Sequence, residues 1–239
     1  LPWLIAVALS HTFLVQKRTG GLIKTNFVLA IFAFLFVLFA TFLTRSGILG
    51  DTSVHSFVTP GKTVETLLVW FMLSFIIFGF GLIIFRWKDV AKFTRKSDFS
   101  IQSKEFSLSI GSILIVAFTL IIWYGTSKPA LADIFGGQKV AAELSFYNNW
   151  GLIFGILMLV LNSFTIYLRW KSRNFDNFFK QIMIPFGLSI VGTAGIYFAG
   201  VTDIKFIILG FASLFSIITN LDFIMKNSSK QPKQLGAYI

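Results

Sequence analysis

Two histidines and one arginine are the residues of this sequence best suited to bind a ligand. His11 lies inside the apolar run LPWLIAVALSHTFLV, about 15 Å along a helix from Leu1. An imidazole at such a depth usually faces a partner or a cavity, and a neutral imidazole is a good ligand for iron. His11 is therefore a candidate proton relay or a candidate axial ligand of a buried haem. The alternative is a hydrogen bond to a carbonyl of a neighbouring helix.

The second histidine, His55, lies with Arg45 in the stretch FLTRSGILGDTSVHSF, residues 42–57. Arg45 ends an apolar run, and its guanidinium could hold a carboxylate such as a haem propionate. Its alternative role is to reach lipid head groups. His55 is either a solvated loop residue or an iron ligand beside an aromatic face, for which Phe57 and Trp70 are candidates.

The composition places these residues in a membrane protein. The chain has 239 residues, of which 55% are hydrophobic and 13% are charged, against about 25% charged residues in a soluble domain. The net charge of +11 comes from basic residues between apolar runs, where they set membrane topology. We therefore expect membrane lipid and no nucleic acid among the partners. The absence of cysteine excludes thiolate chemistry within the chain.

The apolar runs predict an all-α fold, a single polytopic transmembrane helix bundle over residues 1–239 with about seven spans. Two connections on the outer side, 44–63 and 125–148, are long enough to hold a ligand, whereas 86–106 is expected to be a solvated connector. The expected spans are 1–15, 25–43, 64–85, 107–124, 149–168, 182–199 and 204–224.

The orientation follows from the basic residues. Sixteen of the 21 Lys and Arg lie in one alternating set of connections and five in the other. The positive-inside rule places the richer set in the cytoplasm. The N-terminus of the chain is then outside and its C-terminus is cytoplasmic.

A transporter or haem exporter is the main alternative to a haem-binding function, and a structural membrane subunit is a third. A transporter would place carboxylates in the middle of its spans, and the ten acidic residues of this chain lie elsewhere in the expected topology.

Three stretches together resemble a known family. LPWLIAVALSHT, SKEFSLSIGSILIVAFTLIIWYGT and, most specifically, ATFLTRSGILGDTSVHSF (40–57) are similar to segments of the large haem lyase subunit of system I cytochrome c maturation. The family pattern for the third stretch is GTFLTRSGVL followed by SVHAF. The loop before His55 is two residues longer here, with Gly50 and Asp51 as the insertion.

The resemblance implies cytochrome c-type biogenesis in the bacterial inner membrane, with the N-terminus of the chain periplasmic. Members take haem from a haem chaperone and, with other maturation subunits, help attach it covalently to apocytochrome c, so the chain would be part of a haem lyase. The resemblance also implies that His55 ligates the transferred haem and that His11 ligates a resident haem b. The second ligand of each haem would lie outside this sequence, which we expect to be an internal piece of a longer polypeptide.

Overall fold

The computed structural model describes residues 1–49, 61–95, 100–138, 140–171, 175 and 177–228. The expected all-α fold is confirmed, because the described residues contain no β-strand and only one isolated bridge, between Ser103 and Arg169. The helices are α1 (Pro2–Thr19), α2 (Ile23–Arg45), α3 (Lys62–Phe85), α4 (Trp87–Phe93), α5 (Lys104–Phe135), α6 (Leu144–Thr165), α7 (Phe178–Phe198) and α8 (Ile204–Ser228).

Six helices in the described part of the chain are long and apolar enough to cross a membrane: α2, α3, α5, α6, α7 and α8. These six correspond to the last six of the seven expected spans. The first expected span is also helical, as α1, but its 18 residues include Gln16, Lys17 and Arg18 in the last turns. These polar residues lower the mean hydropathy of α1, so it is not among the six.

The chain forms two compact units. The first contains α1 to α4 together with Ser112–Trp150. The second contains the described residues 100–111, the part of α6 from Gly151 onward, α7 and α8. Helices α5 and α6 therefore contribute residues to both units.

Helices α1 and α2 form a helical hairpin in the first unit. Gly20 ends α1 with a φ of 79°, a left-handed conformation that glycine adopts readily, and its N–H donates to Gln16 O at 2.8 Å. The chain reverses there, and Asn26 of α2 donates to the side-chain oxygen of Gln16. The hairpin fixes the register of α1 on α2, so that residues near the start of α1 lie beside residues near the end of α2.

Helix α5 is longer than the expected span 107–124. It continues through Pro129 to Phe135, into the segment that we expected to be an outer loop. The reason is tertiary packing, because Ala130 is 5% exposed and is buried in a cluster with Phe42, Leu43 and Ile48. Packing of this extension, which is about three turns long, against α2 and the residues after it stabilises helix where composition alone suggests a loop.

The expected solvated connector 86–106 also contains ordered structure. Residues Trp87–Phe93 form α4, which packs against α2 and α3. Arg95, just after α4, donates its backbone N–H to Gly20 O at 2.9 Å. The connector is therefore helical over α4, but it stays solvated, since none of the residues of α4 is buried.

The second unit has an aromatic core. Tyr167, Ile182 and Phe215 are buried in one cluster, and Phe215 lies edge-on to Phe186 with ring centroids 5.8 Å apart. Edge-to-face pairs of this kind contribute beyond their buried area. This cluster joins the residues after α6 to α7 and α8.

Candidate functional site

His11 lies midway along α1, on the border of its buried face. Ile5, Ala8, Thr12 and Val15 form that face, and their spacing of three or four residues places them along one side of a helix. Ser112 of α5 donates its hydroxyl to Ala8 O at 3.2 Å, so α5 also contacts α1. His11 itself is half-buried beside these contacts.

One ring nitrogen of His11 is committed to its own helix. Nδ1 is 2.8 Å from Val7 O, and because a carbonyl oxygen only accepts, Nδ1 must carry the proton. In the neutral ring, Nε2 then has the free lone pair. A hydrogen bond from one imidazole nitrogen to a backbone carbonyl is the usual way in which a protein fixes the tautomer of a metal-binding histidine.

The hydroxyl groups beside His11 are also satisfied within α1. Ser10 Oγ donates to Ala6 O at 2.8 Å, and Thr12 Oγ1 contacts Leu9 O at 3.0 Å. Neither hydroxyl competes for the imidazole. Within the described part of the chain, Nε2 is therefore the ring nitrogen of His11 that remains for a further partner.

Arg45 is the last residue of α2 and its side chain is exposed. The chain turns immediately after it, because Gly47 has a φ of 76° and Ile48 is buried against Phe42 and Leu43. Ser46 stabilises the turn by donating its N–H to Phe42 O at 2.9 Å and accepting from Ile48 N at 3.3 Å. The guanidinium is thus held at a defined end of α2.

A mostly apolar cavity of about 340 Å³ lies at the same end of α2. Leu1, Leu43 and Thr44 contribute to its wall, and residues of α5 and α6 complete it, among them Gly125, Pro129 and Tyr147. The cavity adjoins the end of α2 that bears Arg45.

The structure places His11 and Arg45 at different heights of the first unit. The Gln16–Asn26 contact sets the register of α1 on α2, which pairs His11 with the middle of α2. At 1.5 Å per residue, Arg45 then lies about 20 Å further along the helix axis. The two residues are therefore too far apart to contribute to one small site.

His55, Phe57, Gly50 and Asp51 lie outside the described residues, so their predicted roles stay predictions. Trp70, the other aromatic candidate, is on α3 and is 65% exposed. Among the described residues no group of three or more His, Cys, Asp or Glu is placed to hold a metal ion. An axial haem ligand needs no such group, because the porphyrin supplies the other four nitrogen ligands.

The groups around α4 are not among the site residues predicted from the sequence. Lys24 at the start of α2 lies 3.8 Å from the ring centroid of Trp87, and Asp89 pairs with Arg86 and Lys92. The alternation of Trp87, Val90 and Phe93 with basic residues is the signal that could have indicated an amphipathic helix. A run of seven residues is too short for hydrophobic periodicity to identify a helix.

The fold and the placement of these residues define a polytopic α-helical membrane protein with a half-buried histidine in α1 and a basic residue at the end of α2. The chain is 33% identical over 176 residues to the cytochrome c-type biogenesis protein CcmF of Pseudomonas fluorescens, covering 72% of this chain and 25% of that protein. It is 30% identical over 203 residues to the cytochrome c-type biogenesis protein CycK of Rhizobium meliloti, covering 83% and 29%.

The chain is also 26% identical over 177 residues to the cytochrome c-type biogenesis protein NrfE of Haemophilus influenzae, covering 74% of this chain and 27% of that protein. The chain therefore belongs to the family of CcmF- and NrfE-type cytochrome c-type biogenesis proteins, as its sequence motifs indicated. It spans between a quarter and three tenths of the length of these relatives. No protein-family model and no solved structure matches it.

Proposed function

We propose that this chain handles haem during cytochrome c biogenesis and takes part in joining haem to apocytochrome c. The family supports the process, since its members are named for cytochrome c-type biogenesis. The observation that supports the haem assignment is the hydrogen bond of His11 Nδ1 to Val7 O, since Nε2 would then be the nitrogen that ligates iron.

His11 would be an axial ligand of a resident haem b. The donor fits the group, because a neutral imidazole with a fixed tautomer is a common axial ligand of haem iron. Haem b would supply an iron centre that accepts and releases one electron. The protein would hold that centre at a fixed depth, since α1 is itself held by α2 and α5.

The outer end of α2 would hold the haem that is being transferred. Arg45 would pair with its propionates, because a guanidinium matches the geometry of a carboxylate and stays charged. His55, in the segment that follows, would ligate its iron and act as the catalytic residue by orienting the substrate. The cavity of about 340 Å³ beside Leu43 and Thr44 offers apolar surface at this end.

The chemical step is the addition of each cysteine S–H of apocytochrome c across a vinyl group of the haem substrate. A new C–S bond forms, the thiol proton goes to the second vinyl carbon, and no leaving group is released. The protein would contribute orientation and exclusion of side reactions. A haem chaperone and further maturation subunits would deliver the substrates.

The location that suits this chemistry is the bacterial inner membrane, with the end of α2 that bears Arg45 on the periplasmic side. The excess of Lys and Arg in the alternate connections supports this orientation.

The resident haem is tested by absorption spectroscopy on the protein purified from the membranes of its native host. We expect a Soret band and α-band of a b-type haem, and loss of both in His11→Ala. Ser10→Ala is the matched control, because this neighbour is exposed and bonds only to Ala6 O. A wild-type protein without the band, or a His11→Ala variant that keeps it, would refute the assignment. A transporter or structural subunit predicts no band at all.

The outer site is tested by holocytochrome yield in cells. His55→Ala is expected to abolish maturation while the b-type spectrum of the purified variant is unchanged. Arg45→Gln should lower the yield, and Arg45→Lys should restore part of it, since a lysine keeps the charge but not the paired hydrogen bonds. Normal yield in His55→Ala would refute its catalytic role.

A further inference from the structure

An open groove lies between α2, α3 and α4, at the end of the first unit that is opposite to Arg45. Its volume is about 730 Å³, which is within the ~300–1,000 Å³ range of ligand pockets. Its exposed surface is entirely apolar apart from the rim. The lining residues on α2 are Ile23, Phe27 and Ile31.

The length of the groove matches one leaflet of a membrane. Along α3 its lining runs from Phe75 to Arg86, which is about 16 Å at 1.5 Å per residue. This is roughly half of the ~30 Å hydrocarbon core. A transmembrane helix of a partner would need contact along the whole span, whereas the acyl chain of a lipid ends near the midplane. The length of the groove therefore favours a lipid over a transmembrane helix as its occupant.

The rim of the groove is positively charged. Arg86 lines it directly, and Lys24, Lys88 and Lys92 belong to the turns beside it. Asp89 is the one carboxylate of α4 and pairs with Arg86 at 3.4 Å and Lys92 at 3.2 Å. This end of the unit therefore carries four cations and one carboxylate, and two of the cations pair with that carboxylate. Basic clusters of this kind on a short amphipathic helix attract anionic lipid head groups.

The walls of the groove are held in place. The backbone N–H of Arg95 donates to Gly20 O at 2.9 Å, which ties the chain after α4 to the turn between α1 and α2. Helices α2 and α3 approach closely at Gly79, where an added Cβ would lie 3.2 Å from Ile31 Cγ2. The Lys24 ammonium is positioned over the Trp87 ring at 3.8 Å from its centroid. The site is thus built from three helices.

We propose that this groove binds one anionic phospholipid from the leaflet on the α4 side. One acyl chain lies between α2 and α3, and the phosphate is bound by Arg86 and Lys24. Trp87 lies at the level of the head groups, where tryptophan is favoured. The lipid completes the contact of α4 with α2 and α3, and it does not depend on the haem sites proposed above.

The head-group part is tested by native mass spectrometry of the full chain in detergent, titrated with phosphatidylglycerol or phosphatidylcholine of identical acyl chains. We expect the wild type to bind phosphatidylglycerol about tenfold more tightly. In Lys24→Gln/Arg86→Gln the preference should fall to within about twofold. Lys62→Gln/Lys205→Gln removes the same charge from exposed sites elsewhere and should keep the preference.

Three outcomes would overturn the proposal. One is equal binding of both lipids by the wild type, and another is an unchanged preference in Lys24→Gln/Arg86→Gln. The third is competition by inorganic phosphate at millimolar concentration, which would indicate a simple anion site in place of a lipid site.

The groove part is tested with a matched pair of glycines. Gly79 lines the groove, whereas an added Cβ at Gly81 meets nothing within 4 Å. Gly79→Leu should weaken both lipids, because the leucine occupies the groove, and Gly81→Leu should bind like the wild type. Equal binding by both variants would overturn the proposed acyl-chain position. Since Lys24 and Arg86 are not core residues, their variant tests the proposal even if Gly79→Leu fails to fold.

Discussion

The two units use their polar side chains differently. In the second unit, polar groups bond to other elements: Asn162 donates to Ser216 Oγ at 2.9 Å, and Tyr167 donates to Asp222 Oδ2 at 2.7 Å. In the first unit, His11 bonds to its own helix, and Lys24 lies over an aromatic ring. The first unit also contains hydrogen bonds between helices, from Asn26 to Gln16 and from Ser112 to Ala8 O, so the difference concerns the side chains of His11 and Lys24 and not the whole unit.

This difference indicates a division of roles. A hydrogen bond between membrane helices contributes modestly but adds to van der Waals packing, so the second unit is suited to holding the fold. An imidazole nitrogen and a cluster of cations are suited to binding, and both proposals lie in the first unit. Substitutions in the second unit should therefore change stability and spare ligand binding.

The largest effect is expected at Glu105. This residue is 2% exposed, and its Oε1 accepts the backbone N–H of Lys171 at 2.7 Å. Glu105→Ala leaves that N–H without its acceptor, which should cost about 2 kcal/mol of unfolding free energy. The measurement is unfolding in detergent, with the Soret band recorded before unfolding. We expect lower stability and an unchanged band.

Glu143→Ala is the control for Glu105→Ala. Glu143 is exposed and accepts only from Ser145 at 3.0 Å, so its loss should change stability by less than about 0.5 kcal/mol. Equal effects of the two substitutions would show that the second unit does not depend on its buried polar contacts. Loss of the Soret band in a folded Glu105→Ala protein would contradict the division of roles, because a substitution in the second unit would then have changed ligand binding.

The helices of both units could be predicted from the sequence because apolar runs of about 20 residues have few alternatives in a membrane. The tertiary packing that extends these helices could not be predicted from the sequence. Ala130 is helical because it packs against Phe42 and Ile48, residues far away in the chain. Helix α4 is seven residues long, and its existence depends on α2 and α3 more than on its own periodicity.

Some features of the candidate site could likewise be predicted from the sequence, and others could not. The depth of His11 follows from its position in an apolar run, and Arg45 is recognisable because it ends one. The hydrogen bond of His11 Nδ1 within its own helix could not be predicted from the sequence, since it depends on a ring rotamer that brings this nitrogen to Val7 O. The separation of His11 and Arg45 also needs the register that Gln16 and Asn26 set. The role of His55 stays a prediction.

A double-mutant cycle on Asn162 and Ser216 measures one contact between helices. Because both side chains lie within apolar helices, the coupling energy should be about 1 kcal/mol, close to other hydrogen bonds between membrane helices. The cycle needs unfolding free energies of Asn162→Ala, Ser216→Ala and the double variant. Strict additivity would mean that this bond does not stabilise the second unit.

Gly125 of the first unit tests whether close packing stabilises that unit, and Gly155 of the second unit is its control. An added Cβ at Gly125 would lie 2.7 Å from Phe146 Cε1, whereas at Gly155 it meets nothing within 4 Å. Gly155→Ala should raise stability by up to about 1 kcal/mol through helix propensity. Gly125→Ala gains the same propensity but must displace an aromatic ring, so its net effect should be a loss of about 1 kcal/mol. Equal gains at both sites would show that the Phe146 contact is loose.

The smallest effect on stability is expected for substitution of Lys226, in the second unit. Its ammonium is 2.8 Å from Asp222 Oδ2, but half of the lysine side chain is exposed. Exposed ion pairs contribute little, so Lys226→Gln should cost less than about 0.5 kcal/mol. Tyr167→Phe removes the hydrogen bond to the same carboxylate from the buried side and should cost about 1 kcal/mol. A larger loss at Lys226 than at Tyr167 would mean that surface charge, and not the internal hydrogen bonds, holds α8 to the residues after α6.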